Sequence, residues 1–405
     1  MSTPADVVRH PATIDTPDGR RPVRVGVICD FREEQWPSMN LVGEMVCRHL
    51  RQDCSAEIVM AQLMPSLKRR FDRVPFLPGH IARNADRLAN RFIDYPSWLR
   101  ARAGDFDLFH LVDHSYSQLI HVLPAGRTVV TCHDLDTFRC LLEPHLEPRP
   151  PWFRAMTRWI LDGFQRAAHV IAVSGATRDG LLRHRLFPPE RISVVWNGVH
   201  PCYSQLPDPD SDARAGVLMP QSSPNEINLL SVGSTIPRKR LDILLRVFAA
   251  VRRKFPEARL VRVGGLTRLL RELAAELKIE EALVTLPYLE PGVLAAVYRR
   301  STMLLHTAEA EGFGLPLIEA MACGCPVVAS DIPILREVGG AAAVYCPLGD
   351  IDPWAGIITT LICERNEQRV AWEQRRQLQL ARAAKFSWTE NARQTTRIYK
   401  KVLPG

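Results

Sequence analysis

The sequence predicts an α/β protein made of two Rossmann-like halves, each a parallel sheet with helices on both faces, facing each other across a cleft. Three observations predict it. Short apolar runs alternate with segments whose apolar residues recur at helical spacing. The alternation pauses once, at 201–225, a stretch rich in Pro, Ser and Asp, and then restarts. The chain has 405 residues, enough for two to three domains of about 150 residues each.

Taken in order, residues 1–22 are polar and read as a flexible leader without the apolar core of a secretory signal. A first strand is expected at 23–30 (VRVGVICD). After a turn around Trp36-Pro37-Ser38, a helix is expected over 39–50, with apolar residues at 41, 42, 45, 46 and 50. Strands follow at 56–60, 108–112, 128–132, 170–173 and 192–196, with helices at 152–167 and 176–185. These make an N-terminal domain over 23–200. Beyond the linker at 201–225, strands at 227–232, 258–263, 283–286, 303–305 and 326–329 alternate with helices at 241–255, 268–277, 293–298 and 316–322. They make a second domain over 226–380. Strands apolar on both faces belong to a covered parallel sheet. Ligands of such sheets sit beyond the carboxyl ends of the strands.

Hydrophobic residues make up 46% of the chain and charged residues 24%, which excludes a wholly disordered protein. No apolar run approaches the roughly 18 residues of a membrane span. Ten cysteines lie scattered with no CxxC, so reduced thiols in a cytoplasmic protein are expected. The net charge is +8. The stretch 48–102 holds eleven basic and five acidic residues, a local net of +6. Such an excess suits an anionic partner.

Four groups of residues carry candidate chemistry. The densest is 309–319, EAEGFGLPLIE, between a strand and a helix. Gly312 and Gly314 permit close backbone approach, and Pro316 suits a first helical turn. The N–H groups there can meet an anion or a sugar hydroxyl. Glu311 and Glu319 can each accept hydrogen bonds from a vicinal diol. A surface Glu near a helix start explains Glu311 cheaply; it explains Glu319 poorly, because Glu319 lies between Ile318 and Ala320. The second group, GSTIPRKRLD at 233–242, puts Arg238, Lys239 and Arg240 at a strand end, where phosphate oxygens find donors. The third is His133-Asp134, able to bond a sugar hydroxyl or move a proton. Metal ligation through His133, Asp134 and Asp136 lacks any further ligand cluster, so no metal site is expected. The fourth is the basic stretch Lys68, Arg69, Arg70, Arg73, then Arg83, Arg87 and Arg91 at helical spacing. It reads as a solvated helix edge or as a face toward an anionic acceptor or lipid headgroups. Aromatics near it, among them Phe76, suit a core equally well. No RRM, zinc-finger or helix-turn-helix pattern appears, so no nucleic-acid partner is expected.

Together these pieces resemble the family-4 retaining glycosyltransferases of the GT-B fold, from about Arg24 to about Tyr399. The signatures fall in the family's order: His133-Asp134; Asn197-Gly198-Val199; Gly233, Lys239 and Asp242; and Glu311 with Glu319 in EGFGLPLIEAMACGCPVVASD. Phe386-Ser387-Trp388 and a helix to Tyr399 resemble the family's ending, which implies a C-terminal helix over 381–405 returning to the first domain.

The resemblance implies transfer of a hexose, with retained configuration, from a nucleoside diphosphate sugar to a glycan or lipid-linked acceptor, without cofactor or metal. It implies that Arg238 and Lys239 bind the diphosphate. Glu311 would bind the donor sugar, with backbone at Gly312, Phe313, Gly314 and Leu315, and Glu319 the ribose. His133 would approach the transferred sugar. Ser38 and Arg83, Arg87 and Arg91 would face the acceptor or the inner surface of a membrane. Two departures stand out. Where many members have a Gly-Gly turn, this chain reads 34–39, EQWPSM, and where many carry Arg after the glycine of the phosphate motif it has Ser234. The rival readings are a nucleotide-sugar epimerase or a phosphorylase of the same architecture, or a non-catalytic sugar-nucleotide-binding protein.

Overall fold

The computed structural model describes residues 21–34, 36–71, 74, 78–219 and 226–403. The leader up to residue 20, Arg73 and Phe76 of the basic stretch, and 220–225 of the expected linker lie outside the described residues. The chain forms two compact units. One takes it to Asn197 and again from Trp388; the other runs Gly198–Ser387.

In the first unit, strand β1 (Val23–Ile28) leads to helix α1 (Pro37–Asp53) and β2 (Ile58–Leu63). Helix α2 (Gly79–Ala89) passes through a π-helical turn at Asn90–Asp94 into α3 (Tyr95–Arg100). Then come β3 (Leu108–Leu111), a long 3-10 segment at His114–Val122, β4 (Thr128–Cys132), the short α4 (Arg139–Leu142), α5 (Pro151–Gln165), β5 (His169–Ala172), α6 (Gly175–Arg183) and β6 (Ile192–Val194). The sheet order is β2-β1-β3-β4-β5-β6, and its strand pairs are parallel. All four residues of β3 and β5 and all five of β4 are buried, as a sheet covered on both faces requires.

The second unit opens with α7 (Pro209–Leu218) and β7 (Asn228–Val232), followed by α8 (Leu241–Arg252), β8 (Arg259–Val263), α9 (Arg268–Glu276), β9 (Leu283–Leu286), α10 (Pro291–Arg300) and β10 (Met303–His306). It continues through α11 (Leu315–Ala322), β11 (Val327–Ser330), α12 (Pro333–Gly339), β12 (Val344–Cys346), α13 (Ile351–Glu367) and α14 (Arg369–Ala383). Its sheet order is β12-β11-β10-β7-β8-β9, again with parallel pairs.

The linker expectation needs correcting. Asp208 caps a ten-residue helix there, accepting from the Ser211 N–H, and α7 packs on α10. Arg299 holds it through Asp212 at 2.9 Å and the Ser204 carbonyl at 3.1 Å. Beyond residue 329 the sequence reading named no element before the C-terminal helix, yet three helices and β12 fill 333–383.

The last helix, α15 (Trp388–Val402), belongs to the first unit and packs on α1. Its Tyr399 hydroxyl lies 2.7 Å from Nδ1 of His110 in β3, and Nε2 of that ring lies 2.8 Å from Thr131 Oγ1. Burial pushes the His110 imidazole down to about 3, so it stays neutral and bridges helix to sheet. All ten cysteines are free.

Candidate functional site

Each sheet reverses its direction of winding once. In the second unit the chain moves outward from β7 through β8 to β9, then returns to place β10 on the other side of β7. The crevice beyond β7 and β10 is the ligand position of an open parallel sheet. The loop after β7 carries Gly233, Arg238 and Lys239; the loop after β10 carries Glu309 and Glu311. The two loops are laced together. Glu309 donates its N–H to the Arg238 carbonyl at 2.9 Å, and Thr307 Oγ1 donates to the carbonyls of Lys239 at 3.0 Å and Arg240 at 3.1 Å. Arg240 turns away from the crevice into Asp242 and Glu309.

At this point Glu311 Oε1 accepts from Lys239 Nζ and, at 2.7 Å, from His306 Nε2. Burial alone would raise this carboxyl. The Lys239 ammonium and the His306 N–H outweigh it and hold Glu311 well below the usual carboxylate range. Burial also lowers His306, which as neutral imidazole donates Nε2–H to the carboxylate. Oε1 thus carries both of these contacts. Arg238 is half-buried on the same short turn as Lys239.

Gly314, at φ +89°, starts α11 in the left-handed region, and a Cβ there would press on Leu335 at 3.1 Å. Gly312 and Phe313 are buried, Phe313 edge-on to Phe386, and Leu315 is half-buried. One turn along α11, Glu319 is 7% exposed and accepts from the Tyr298 hydroxyl at 2.9 Å. Burial pushes its carboxyl up to about 7, against the bonds from Tyr298 and Tyr203.

The first unit has its own reversal, between β1 and β3. Asp30 follows β1, Asp113 follows β3 and His133 follows β4. Of these three, only His133 stands out in the sequence, at 131–134 (TCHD). Asp113 caps the 3-10 segment, accepting from Ser115 N and Oγ, both at 2.8 Å. Its carboxyl is lowered to about 2: burial opposes that, and the neighbouring His114 and His133 rings drive it. Asp30 goes the other way, raised by burial and by Asp113. The two neighbouring carboxyls are thus pushed in opposite directions. His114 Nδ1 lies 3.4 Å from Asp113. His133 is 7% exposed, and its Nε2 donates to the Val112 carbonyl at 2.6 Å.

The basic stretch does not form one outward face. Arg87 reaches Glu34 at 3.3 Å. Arg91 reaches the same carboxylate at 3.6 Å, bonds the Ser115 carbonyl and lies 4.0 Å from the centre of the Tyr116 ring. Lys68 and Arg70 both bind Asp94. Arg83 and Ser38 remain exposed. Among the described residues no helix is long and apolar enough to cross a membrane, and no group of three His, Cys, Asp or Glu could hold a metal ion.

Comparison with known proteins follows this division. The family model described as glycosyl transferases group 1 matches residues 220–379, and that described as Glycosyltransferase Family 4 matches 41–202. The O-antigen chain mannosyltransferase B of Escherichia coli is 27% identical over 279 residues, 68% of this chain and 70% of its own length. The D-inositol 3-phosphate glycosyltransferase of Rhodococcus erythropolis is 33% identical over 245 residues, 57% of this chain and 53% of that protein. The chain thus spans about half the length of the latter relative. The crystal structure of HepE from Anabaena in complex with UDP and glucose superposes with a TM-score of 0.70 at 16% identity, covering 94% of this chain and 100% of that one. Sucrose-phosphate synthase from Thermosynechococcus elongatus gives 0.69 at 17%, covering 94% and 99%. These two share the fold.

Proposed function

The chain belongs to the group 1, family-4 glycosyltransferases of the GT-B fold, and from that premise we propose that it moves a hexose from a nucleoside diphosphate sugar to a hydroxyl of a glycan or lipid-linked acceptor, with retention. The observation that carries this reading is the Lys239–Glu311–His306 cluster at the winding reversal of the second unit. A leaving diphosphate gathers negative charge in an oxocarbenium-like transition state. Cations and N–H groups already in place stabilise it without reorganising. Lys239 and Arg238 supply the cations, and the start of α11 supplies N–H groups. Glu311 Oε2 orients the sugar, and Glu319 accepts from the ribose diol. The acceptor oxygen bonds the anomeric carbon on the face from which the diphosphate departs. The bond to the diphosphate breaks, and the acceptor's proton passes to the leaving oxygen. The Asp113, Asp30 and His133 groups of the first unit supply hydrogen-bond partners for an acceptor hydroxyl. This account asks for no divalent metal.

The test is release of nucleoside diphosphate from UDP-, GDP-, ADP- and TDP-hexoses, with and without glycan acceptor and with EDTA. We expect slow release from one donor alone, faster release with acceptor, indifference to EDTA and an unchanged anomeric configuration by NMR. A requirement for free phosphate would assign a phosphorylase. Isomerised sugar nucleotide without transfer would assign an epimerase.

A further inference from the structure

Arg262 sits inside β8 and is 1% exposed. Its Nη1 donates to the Val263 carbonyl at 2.9 Å. Its Nη2 donates to the Ser234 carbonyl at 3.0 Å and to the Gly233 carbonyl at 2.5 Å. All three acceptors are neutral. Among the described residues no carboxylate pairs with this guanidinium, and its Nε, also buried, has no partner. A buried cation without a counterion is costly. Burial lowers Arg262 only to about 10, so it keeps its charge at neutral pH.

The surroundings suggest where the counterion comes from. Arg262 lines a small cavity together with Ser234, Lys239, His306 and Thr307, at the winding reversal between β7 and β10. The turn it holds, Gly233–Ser234, begins the loop that carries Arg238 and Lys239. The loops after β7 and β8 are in close contact there. A Cβ on Gly264, at φ +107°, would come within 2.3 Å of the Gly233 carbonyl oxygen. The guanidinium clamps the two loops from below. Ser234, exposed above it, brings no charge of its own.

We propose that Arg262 is a positioning residue of the donor site: it fixes the Gly233–Ser234 turn and places beneath it the positive charge that Ser234 does not supply, with the donor's diphosphate as the missing counterion. This rests on the donor reading above. It assigns to a strand residue a role that the loop sequence alone gives only to Arg238 and Lys239.

The experiment measures affinity for UDP and GDP, and for uridine and guanosine, by calorimetry on the full chain. It compares the unaltered protein with Arg262→Met, Arg262→Lys and the double variant Ser234→Arg/Arg262→Met. Arg262→Met should weaken the bound diphosphate at least tenfold and leave the matching nucleoside within twofold. The double variant should recover most of the loss, because it moves the cation to the top of the turn. Equal weakening of diphosphate and nucleoside would reduce Arg262 to a packing role and overturn the proposal. Unchanged diphosphate affinity would do the same. Should the Met variant not fold, Arg262→Lys carries the test. It keeps the charge and loses the fork to the carbonyls, so diphosphate affinity should fall several-fold and nucleoside affinity should hold; any other pattern rejects the proposal. Binding of neither diphosphate by the unaltered protein would remove the donor reading and this proposal together. Retained binding that is indifferent to residue 262 removes the proposal alone.

Discussion

Each unit is a six-stranded parallel sheet whose winding reverses once, after two strands in the first and after three in the second, and the two carry different chemistry at that point. Beyond β7 and β10 the second unit sets Lys239 and His306 on one carboxylate, Glu311, and Arg262 lines a small cavity with the same Lys239 and His306. Beyond β1 and β3 the first unit brings Asp30 and Asp113 together with the ring of His114, and His133 follows the neighbouring β4. The sheet geometry selects where a ligand sits, while the loop residues select which ligand. A cationic crevice suits a departing diphosphate. A crevice of carboxyl and imidazole acceptors suits hydroxyl groups. The same contrast holds for ionisation. Lys239 holds Glu311 below the usual carboxylate range, whereas burial, with Asp113 beside it, raises Asp30.

The largest expected effect tests the cationic side. Glu311→Ala removes charge-assisted bonds and should cost about 1.5–3 kcal/mol of transition-state binding, a loss of about ten- to over a hundredfold in kcat/KM. The fold should survive, as far-UV circular dichroism would report. Full activity in that variant would take Glu311 out of the site.

Glu319 comes next, because its contribution depends on pH. Its carboxyl sits near 7 in the folded chain, above the ordinary 4.5. The folded state therefore holds this proton longer than the unfolded one. Stability is lost as pH rises from about 4.5 through 7, by up to about 3 kcal/mol. Glu319→Gln should accordingly gain stability over the parent across that window, seen in Tm measured from pH 5 to 8. Donor affinity in the parent should strengthen as pH rises through about 7, when the carboxylate can accept from the ribose diol. The Gln variant should show a flat profile; a parallel rise in both proteins would contradict the ribose role.

On the acidic side, Asp113→Asn should lower acceptor kcat/KM by about tenfold, equivalent to about 1.4 kcal/mol, and leave nucleotide affinity unchanged. If it weakened the nucleotide instead, the division of labour between the units would be wrong. Tyr399→Phe should cost about 1 kcal/mol in urea unfolding by orphaning His110 Nδ1, with no change in donor affinity. Arg83→Ala, at an exposed position, should stay within about 0.5 kcal/mol of the parent. Its flotation with anionic liposomes, compared with the parent's, measures whether this surface meets lipid at all.

Local pattern carried much of this into the sequence. Strands such as 128–132 and 170–173 read directly, because buried parallel strands are short, largely apolar runs between turn residues. The pair of loops bearing Lys239 and Glu311 was legible because glycine, charge and helix start fall within a few residues of each other. What stayed hidden depends on partners far along the chain. Arg87 and Arg91 look like an outward row until Glu34, more than fifty residues earlier, draws them in. Asp30 and Asp113 become a pair only when β1 and β3 lie side by side. Arg262 and His306 sit inside strand patterns, RLVRV and MLLH, where spacing alone cannot separate a buried functional group from an ordinary strand residue.

The central claim is that the second unit grips a nucleoside diphosphate through Lys239 and Glu311's neighbours at the winding reversal. Thermal unfolding with UDP, GDP, ADP and TDP tests it most directly, since a ligand bound only by the native state raises Tm by mass action. The account predicts that one of the four raises Tm and that Lys239→Ala abolishes the rise. A shift that survives Lys239→Ala, or no shift with any of the four, would contradict it.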